Sequence, residues 1–366
     1  MKSKAIQIII AVLVGTLCVY FFSKEAKWDE IQSALSSAHY GYILLSIILM
    51  FVAMYIRAMR WQIFLGEPKV GVWKLFLICN IGFMGNGIFP ARMGELIRPF
   101  LIWKQTAHPF PKALTTIVVE RFFDLIGLLL LLAFVLYMFP FPAPPAGSDT
   151  ALLAPVESPA EASYFDDPLT VVKTTAKYCL AMFLLLFVAI GTMAYAPEWS
   201  LRVAQRLFRP LPQALSSKLL HIIESFEHGA ATFRSASAFG YSMVLTLVLW
   251  LLITLSEWMV LWAFGVNLLS FTATLFLMIG ICFAVMFPQL PGYIGMYQIA
   301  VTSILTLIFY IEKSTADAIS IMLWLTQVPA VIVCGFFCML FLGVSFKEIR
   351  QVQRELPTRD EDAASV

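Results

Sequence analysis

The chain has 366 residues and a net charge of +2, with 60% hydrophobic and 13% charged positions, against roughly half and a quarter in an average soluble domain. That much apolar side chain cannot be hidden in one soluble core, and the near-neutral charge, with no basic run interleaved with aromatics, argues against a nucleic-acid partner. A lipid bilayer is the expected solvent.

The first apolar run, 6–22, follows Lys2 and Lys4 and ends in Val19-Tyr20-Phe21-Phe22-Ser23-Lys24, without a small-residue cleavage site, so it reads as a retained anchor. Further runs long enough to cross roughly 30 Å of hydrocarbon are 41–58, 115–139, 171–195, 239–264 and 318–344. With the first, these make six expected spans. Two other apolar stretches, 72–103 and 272–310, are each interrupted by Gly and Pro and have the length of two half-crossings.

Basic residues fix the expected orientation. Lys2, Lys4, Arg57, Arg60, Lys69, Lys74, Lys104, Lys112, Arg202, Arg206, Arg209, Lys218, Arg234, Lys347, Arg350, Arg354 and Arg359 would be cytoplasmic, against Lys24, Lys27, Lys173, Lys177 and Lys313 outside. Both termini are then inside, in a multi-pass inner or plasma membrane protein. Segment 140–170 is rich in Pro, carries Asp149, Glu157, Glu161, Asp166 and Asp167 with no Lys or Arg before Lys173, and is expected to be a disordered external loop. In 196–238, Trp199, Val203 and Leu207 alternate with Arg202 and Arg206, which predicts an amphipathic cytoplasmic segment on the inner leaflet or packed on the spans. Residues 345–366 form a cytoplasmic tail, and the whole of 1–366 is a single integral membrane domain.

Parity then requires 72–103 to enter and leave on the cytoplasmic side and 272–310 to do so on the opposite side. The predicted fold is all-α: a polytopic helix bundle of about six full spans plus two opposed re-entrant, broken-helix hairpins in an inverted repeat, an architecture common among transporters. Two full crossings in each region would preserve the same parity, and the sequence leaves both open.

The first hairpin turns through Gly85-Asn86-Gly87-Ile88-Phe89-Pro90-Ala91-Arg92-Met93-Gly94-Glu95-Leu96-Ile97-Arg98-Pro99. Proline lacks an amide and glycine is permissive, so a helix breaks here and exposes backbone groups that need partners. Arg92, Glu95 and Arg98 follow at three-residue spacing and would share one face of a helix. An ionisable group at membrane depth costs roughly 2.5–3.5 kcal/mol on insertion scales, so such a row needs pairing or a wet path. Arginine's planar fork suits phosphate, and a helix N-terminus adds partial positive charge. Alternatively, Arg98 and Glu95 reach for the inner surface while Arg92 pairs with Glu95.

Glu120, Arg121 and Asp124 open the next span, with Glu120 and Asp124 on one face, placed to neutralise Arg92 or Arg98 or to act on a ligand or proton. In the second hairpin, Gln289, Pro291, Gly292, Tyr293, Gly295, Tyr297 and Gln298 offer only shape and neutral hydrogen bonds. Glu257 is the carboxylate inside a span with no basic residue near it in sequence, a functional candidate through protonation. Cys18, Cys79, Cys179, Cys282, Cys334 and Cys338 all lie in apolar segments, where they act as small hydrophobes; neither metal nor cofactor is expected.

The run Asn86-x3-Pro90-Ala91-Arg92-Met93-Gly94-Glu95-x2-Arg98-Pro99 resembles the signature of the lysylphosphatidylglycerol synthase transmembrane, or flippase-like, family. Glu120-Arg121-x2-Asp124 and Leu290-Pro291-Gly292-x-Ile294-Gly295 resemble two later family motifs. The usual late motif continues with a second glycine and a glutamate, where this chain has Tyr293 and Gln298, so a carboxylate on the second hairpin is not expected. The resemblance implies a stand-alone lipid-translocating module. No aminoacyltransferase domain follows the last apolar run, so lipid aminoacylation is not expected, and no Gly-rich Lys-Ser/Thr loop supplies an ATP site.

The function expected is movement of an anionic lipid, a phospholipid or a polyprenyl-phosphate-linked glycan, between leaflets. The site residues are Asn86, Pro90, Arg92, Gly94, Glu95, Arg98, Glu120, Arg121, Asp124, Glu257, Pro291, Gly292, Gly295 and Gln298, with Arg92 and Arg98 on the phosphate. Membrane lipids with anionic head groups are the expected partners, with cell-envelope biosynthesis proteins as further ones. The rival expectations are a membrane-embedded lipid-phosphate enzyme and a lipid-binding accessory subunit of a cell-envelope synthase.

Overall fold

A computed structural model describes residues 27–89, 92–106, 108–139, 197–208, 235–286 and 291–351; among them every regular element is helical. The expected spans 6–22 and 171–195, the loop 140–170, most of 196–238 and residues 352–366 of the tail lie outside the described residues. The first group of helices is α1 (Trp28–Ser37), α2 (Tyr40–Leu65), α3 (Val72–Ile88), α4 (Gly94–Gln105) and α5 (Phe110–Met138). After α6 (Pro197–Phe208) come α7 (Ala236–Ala263), α8 (Phe271–Ala284), a 3-10 turn at Pro291–Tyr293, α9 (Met296–Leu307), α10 (Lys313–Leu342) and α11 (Phe346–Gln351).

Three stretches, Tyr40–Leu65, Ser237–Ala263 and Lys313–Leu342, are long and apolar enough to cross a membrane, with mean hydropathy of 2.1, 2.1 and 2.2. At 1.5 Å per residue the shortest of them reaches about 39 Å. Helix α5 is equally long but carries Glu120, Arg121 and Asp124 in its middle. Each long helix ends for a local reason. Gly66 (φ 67°) closes α2 and Gly343 (φ 65°) closes α10 in the left-handed region, and the Ser235 hydroxyl accepts the Ala238 amide to start α7.

The same order of elements occurs twice: long helix, broken pair, long helix, as α2–α3/α4–α5 and α7–α8/α9–α10. Helices α2 and α7 lie side by side, joined where the Ser46 and Ser256 hydroxyls meet at 2.9 Å. Both broken pairs lean on α10: α3 along its C-terminal half, where Met84 and Asn80 crowd Gly335, and α9 along its N-terminal half, where Thr302 donates to Asp317 at 2.7 Å. One apolar core joins α2, α3, α4 and α5 around Trp61, Ile78 and Phe123; a second joins α7, α8, α9 and α10 around Val260, Leu277 and Leu323.

Large apolar side chains also stand on the outside. Leu44, Phe134, Tyr137, Leu340 and Phe341 are exposed, which water would penalise and lipid tails do not. Helix α6 leaves Trp199, Arg202, Val203 and Arg206 exposed and buries Ala204.

Candidate functional site

The limbs of the first broken pair close on each other through two glycines. A Cβ on Gly94 would run into the Gly82 carbonyl oxygen, and one on Gly82 would run into the Arg98 side chain, so only glycine lets α3 and α4 approach this closely. Asn86 secures the turn from inside: its Oδ1 accepts the Gly94 amide at 2.8 Å, supplying a partner to a donor that the helix start leaves open. Pro90 and Ala91 lie outside the described residues.

Helix α4 begins at Gly94, so Arg92 does not share a helical face with Glu95 and Arg98 as their spacing predicts. It stands before the helix in a left-handed conformation (φ 53°), exposed, and its Nη2 donates to the Val285 carbonyl at 2.7 Å, on the tip of the second broken pair. Among the described residues it forms no ion pair.

Arg98 points the other way. It is 2% exposed, its Nη2 lies 2.7 Å from Glu120 Oε2, and its guanidinium sits 4.2 Å from the centre of the Trp61 ring. Glu120 is shared. Its Oε1 is 2.9 Å from Arg57 Nη1 and 3.6 Å from Arg60 Nη2, while Asp124 takes Arg60 Nη2 at 2.7 Å and Arg57 Nη1 at 3.3 Å. Arg60 Nη1 donates to Thr246 of α7 at 2.7 Å, so this cluster bolts α2, α4, α5 and α7 together. Three buried guanidiniums face two carboxylates, which leaves one positive charge over. Arg121, half-buried beside them, contacts Glu95 at 3.2 Å and Asp124 at 3.6 Å.

Arg57 and Arg60 are cluster residues that their place in the sequence did not reveal. Their position after an apolar run suggested cytoplasmic flanking charges, yet α2 continues through Trp61, Phe64 and Leu65 with both arginines 5% and 0% exposed. One signal was present in the sequence: apolar residues, Trp61, Ile63, Phe64 and Leu65, resume after Arg60.

Residues 8–335 match the family described as the lysylphosphatidylglycerol synthase TM region, a range that includes the turn and ion cluster just described. The chain belongs to this family. It is also 23% identical to "Glycosyltransferase AglD" of Haloferax volcanii across 99% of its own length, spanning 58% of that relative. Two "UPF0104 membrane proteins" of Methanothermobacter thermautotrophicus are each 22% identical, over 85% and 88% of this chain and 87% and 90% of theirs. The protein is a multi-pass membrane protein of the lysylphosphatidylglycerol synthase TM-region family.

In this family member the second broken pair carries no charge at its turn. Gly292 (φ 74°) and Gly295 (φ 87°) wind left-handed, Tyr293 is forced to follow at φ 63°, and Pro291 opens the turn. Gln298, 6% exposed, does not reach outward: its Oε1 accepts the Gly295 amide at 2.8 Å and starts α9. Trp324 of α10 donates its indole N–H to the Gly292 carbonyl at 2.7 Å. The two tips touch, since Arg92 reaches Val285 and a Cβ on Gly292 would stand 3.5 Å from the Gly87 carbonyl oxygen. Glu257 is not part of the ion cluster. It is 3% exposed on α7, and its Oε2 has no hydrogen-bond partner among the described residues.

Proposed function

We propose that the protein moves an anionic lipid between the leaflets of an inner or plasma membrane, in a bundle of six spans and two opposed re-entrant hairpins with both termini cytoplasmic. Re-entry is supported by length: α3, α4, α8 and α9 have 17, 12, 14 and 12 residues, about 26, 18, 21 and 18 Å, each short of the roughly 30 Å hydrocarbon core. Breaks that meet tip to tip are the arrangement in which inverted-repeat transporters build their sites.

The observation that carries the function is Arg92. It is an exposed guanidinium at the meeting point of both broken hairpins, held among the described residues by one neutral carbonyl. A phosphate offers a charge-assisted, two-pronged partner in place of that carbonyl. Arg98 acts behind it: paired with Glu120 and stacked on Trp61, it keeps the first hairpin and its surplus positive charge in position. Glu95 and Arg121 link this scaffold to the partly exposed side of the turn. No ATP loop is present in the sequence, so transport is passive or ion-coupled.

A relative named as a glycosyltransferase supports a glycan-bearing lipid as one substrate. The same relative's name also supports a second role, that of a lipid-handling subunit working beside a cell-envelope transferase.

The test is reconstitution of the purified chain in liposomes with fluorescent anionic or neutral phospholipid in both leaflets, followed by dithionite quenching. Wild type should carry quenching of the anionic probe past the outer-leaflet half, and Arg92→Ala should stop there. If wild type moves neither these probes nor a polyprenyl-phosphate glycan, translocation by this chain is wrong and capture of a transferase partner becomes the supported role.

A further inference from the structure

Four carboxylates are buried in the described structure, and three have partners. Glu120 and Asp124 sit among arginines, and Asp317 receives the Thr302 hydroxyl at 2.7 Å. Glu257 differs from all of them. Its neighbour Ser256 faces α2 and bonds to Ser46, so Glu257, one residue further round α7, is turned away from that seam.

The groups packed around α7 account for the isolation of Glu257. Helix α2 brings Arg57 and Arg60, and α5 brings Arg121, but the two carboxylates of α5 already engage all three. Helix α8 brings Cys282, packed against the core that holds Trp250 and Ile253 of α7, and α9 brings Tyr297 into the core that holds Val260 and Leu261 of α7. Helix α10 brings Asp317, held by Thr302. The Tyr297 hydroxyl, on a side chain 4% exposed, likewise has no hydrogen-bond partner among the described residues. Two orphan polar groups therefore come from α7 and from the second limb of the uncharged hairpin.

We propose that Glu257 is a proton-binding site: it holds a proton while the second hairpin is seated against α7 and releases it to water when that hairpin moves away. A carboxyl with no cation and no complete hydrogen-bond set is tolerated in an apolar interior as the neutral acid, whereas its anion requires water or a donor such as the Tyr297 hydroxyl. Proton release and hairpin opening are thus linked, and a proton gradient can bias lipid movement. The coupling rests on the translocation function proposed above; the proton site does not.

Infrared difference spectra of the full chain in lipid nanodiscs, wild type minus Glu257→Gln, test the site directly. At neutral pH the difference should contain the carbonyl stretch of a neutral carboxylic acid; carboxylate bands in its place overturn the proton site. Labelling by dicyclohexylcarbodiimide, which adds to protonated carboxyls in apolar surroundings, should mark Glu257 and leave the ion-paired Glu120 and Asp124 unmarked. In liposomes, a pH step of one unit should shift the distribution of the transported lipid by up to about tenfold for one proton per lipid, and Glu257→Gln should abolish that shift. Wild type that moves lipid without responding to the gradient overturns the coupling. Wild type that moves no lipid counts against translocation, and the infrared result then decides the proton site by itself.

Discussion

Where the first hairpin ends its break with Asn86 receiving the Gly94 amide at 2.8 Å and sets three buried arginines behind it, the second ends its break with Gln298 receiving the Gly295 amide at the same distance. The second brings no basic residue of its own: α7, α8 and α9 contain no Lys or Arg. Each tip also forces one bulky residue into the left-handed region, Arg92 in the first and Tyr293 in the second. The difference teaches how one architectural device serves two ends. Separating the charges of the first hairpin would strand ions in an apolar interior, so that hairpin is a fixed scaffold. Moving the second disturbs packing and neutral hydrogen bonds, and it is the half suited to opening.

Breaking the scaffold should have the largest effect. Glu120→Ala removes the carboxylate that Arg57, Arg60 and Arg98 share, at a cost of about 3–5 kcal/mol for a broken buried pair. Loss of monodisperse protein on size exclusion in mild detergent is the expected readout. Gly94→Ala comes next, because its Cβ meets the Gly82 backbone and not a side chain that can rotate away; overpacking of this kind costs about 1–3 kcal/mol, read as a lowered unfolding temperature. In the second hairpin, Gln298→Ala loses only the cap of α9, about 1 kcal/mol. Hydrogen exchange should therefore quicken near Gly295 while the amides around Arg98 stay protected, and an equal response in both hairpins would erase the contrast.

Arg92 allows charge and backbone to be separated. Arg92→Gly relieves the left-handed strain that Arg92→Ala retains, a difference of about 1–2 kcal/mol in favour of glycine, whereas both should lose anionic-lipid transport alike. The smallest effect is a control for any pH experiment. Burial and the nearby Lys112 push His108 below its ordinary value of 6.5, so the fold prefers it neutral. The stability this contributes is complete above the unfolded value and lost as the pH falls through 6.5 towards the folded one. Thermal unfolding of wild type should weaken slightly below that pH, and His108→Gln should not show the loss.

The amino-acid sequence by itself determined the solvent, the helical class, the two breaks and the family, because each rests on local chemistry. Apolar runs of spanning length, Gly and Pro at 85–99 and 287–295, and motif residues such as Arg92, Glu95, Arg98, Glu120 and Asp124 are read without knowing which helices touch. Partnership was decided only by the tertiary structure. Arg57 and Arg60 look like flanking charges until α5 brings Glu120 and Asp124 alongside α2, and Gln298 looks available until α9 turns it onto Gly295. Arg92 falls out of register with Arg98 because the helix starts at Gly94, where Gly82 comes close enough to accept no side chain. Spacing along a chain predicts which residues share a face of one helix; which charge meets which depends on how helices far apart in sequence cross, and that is set by packing.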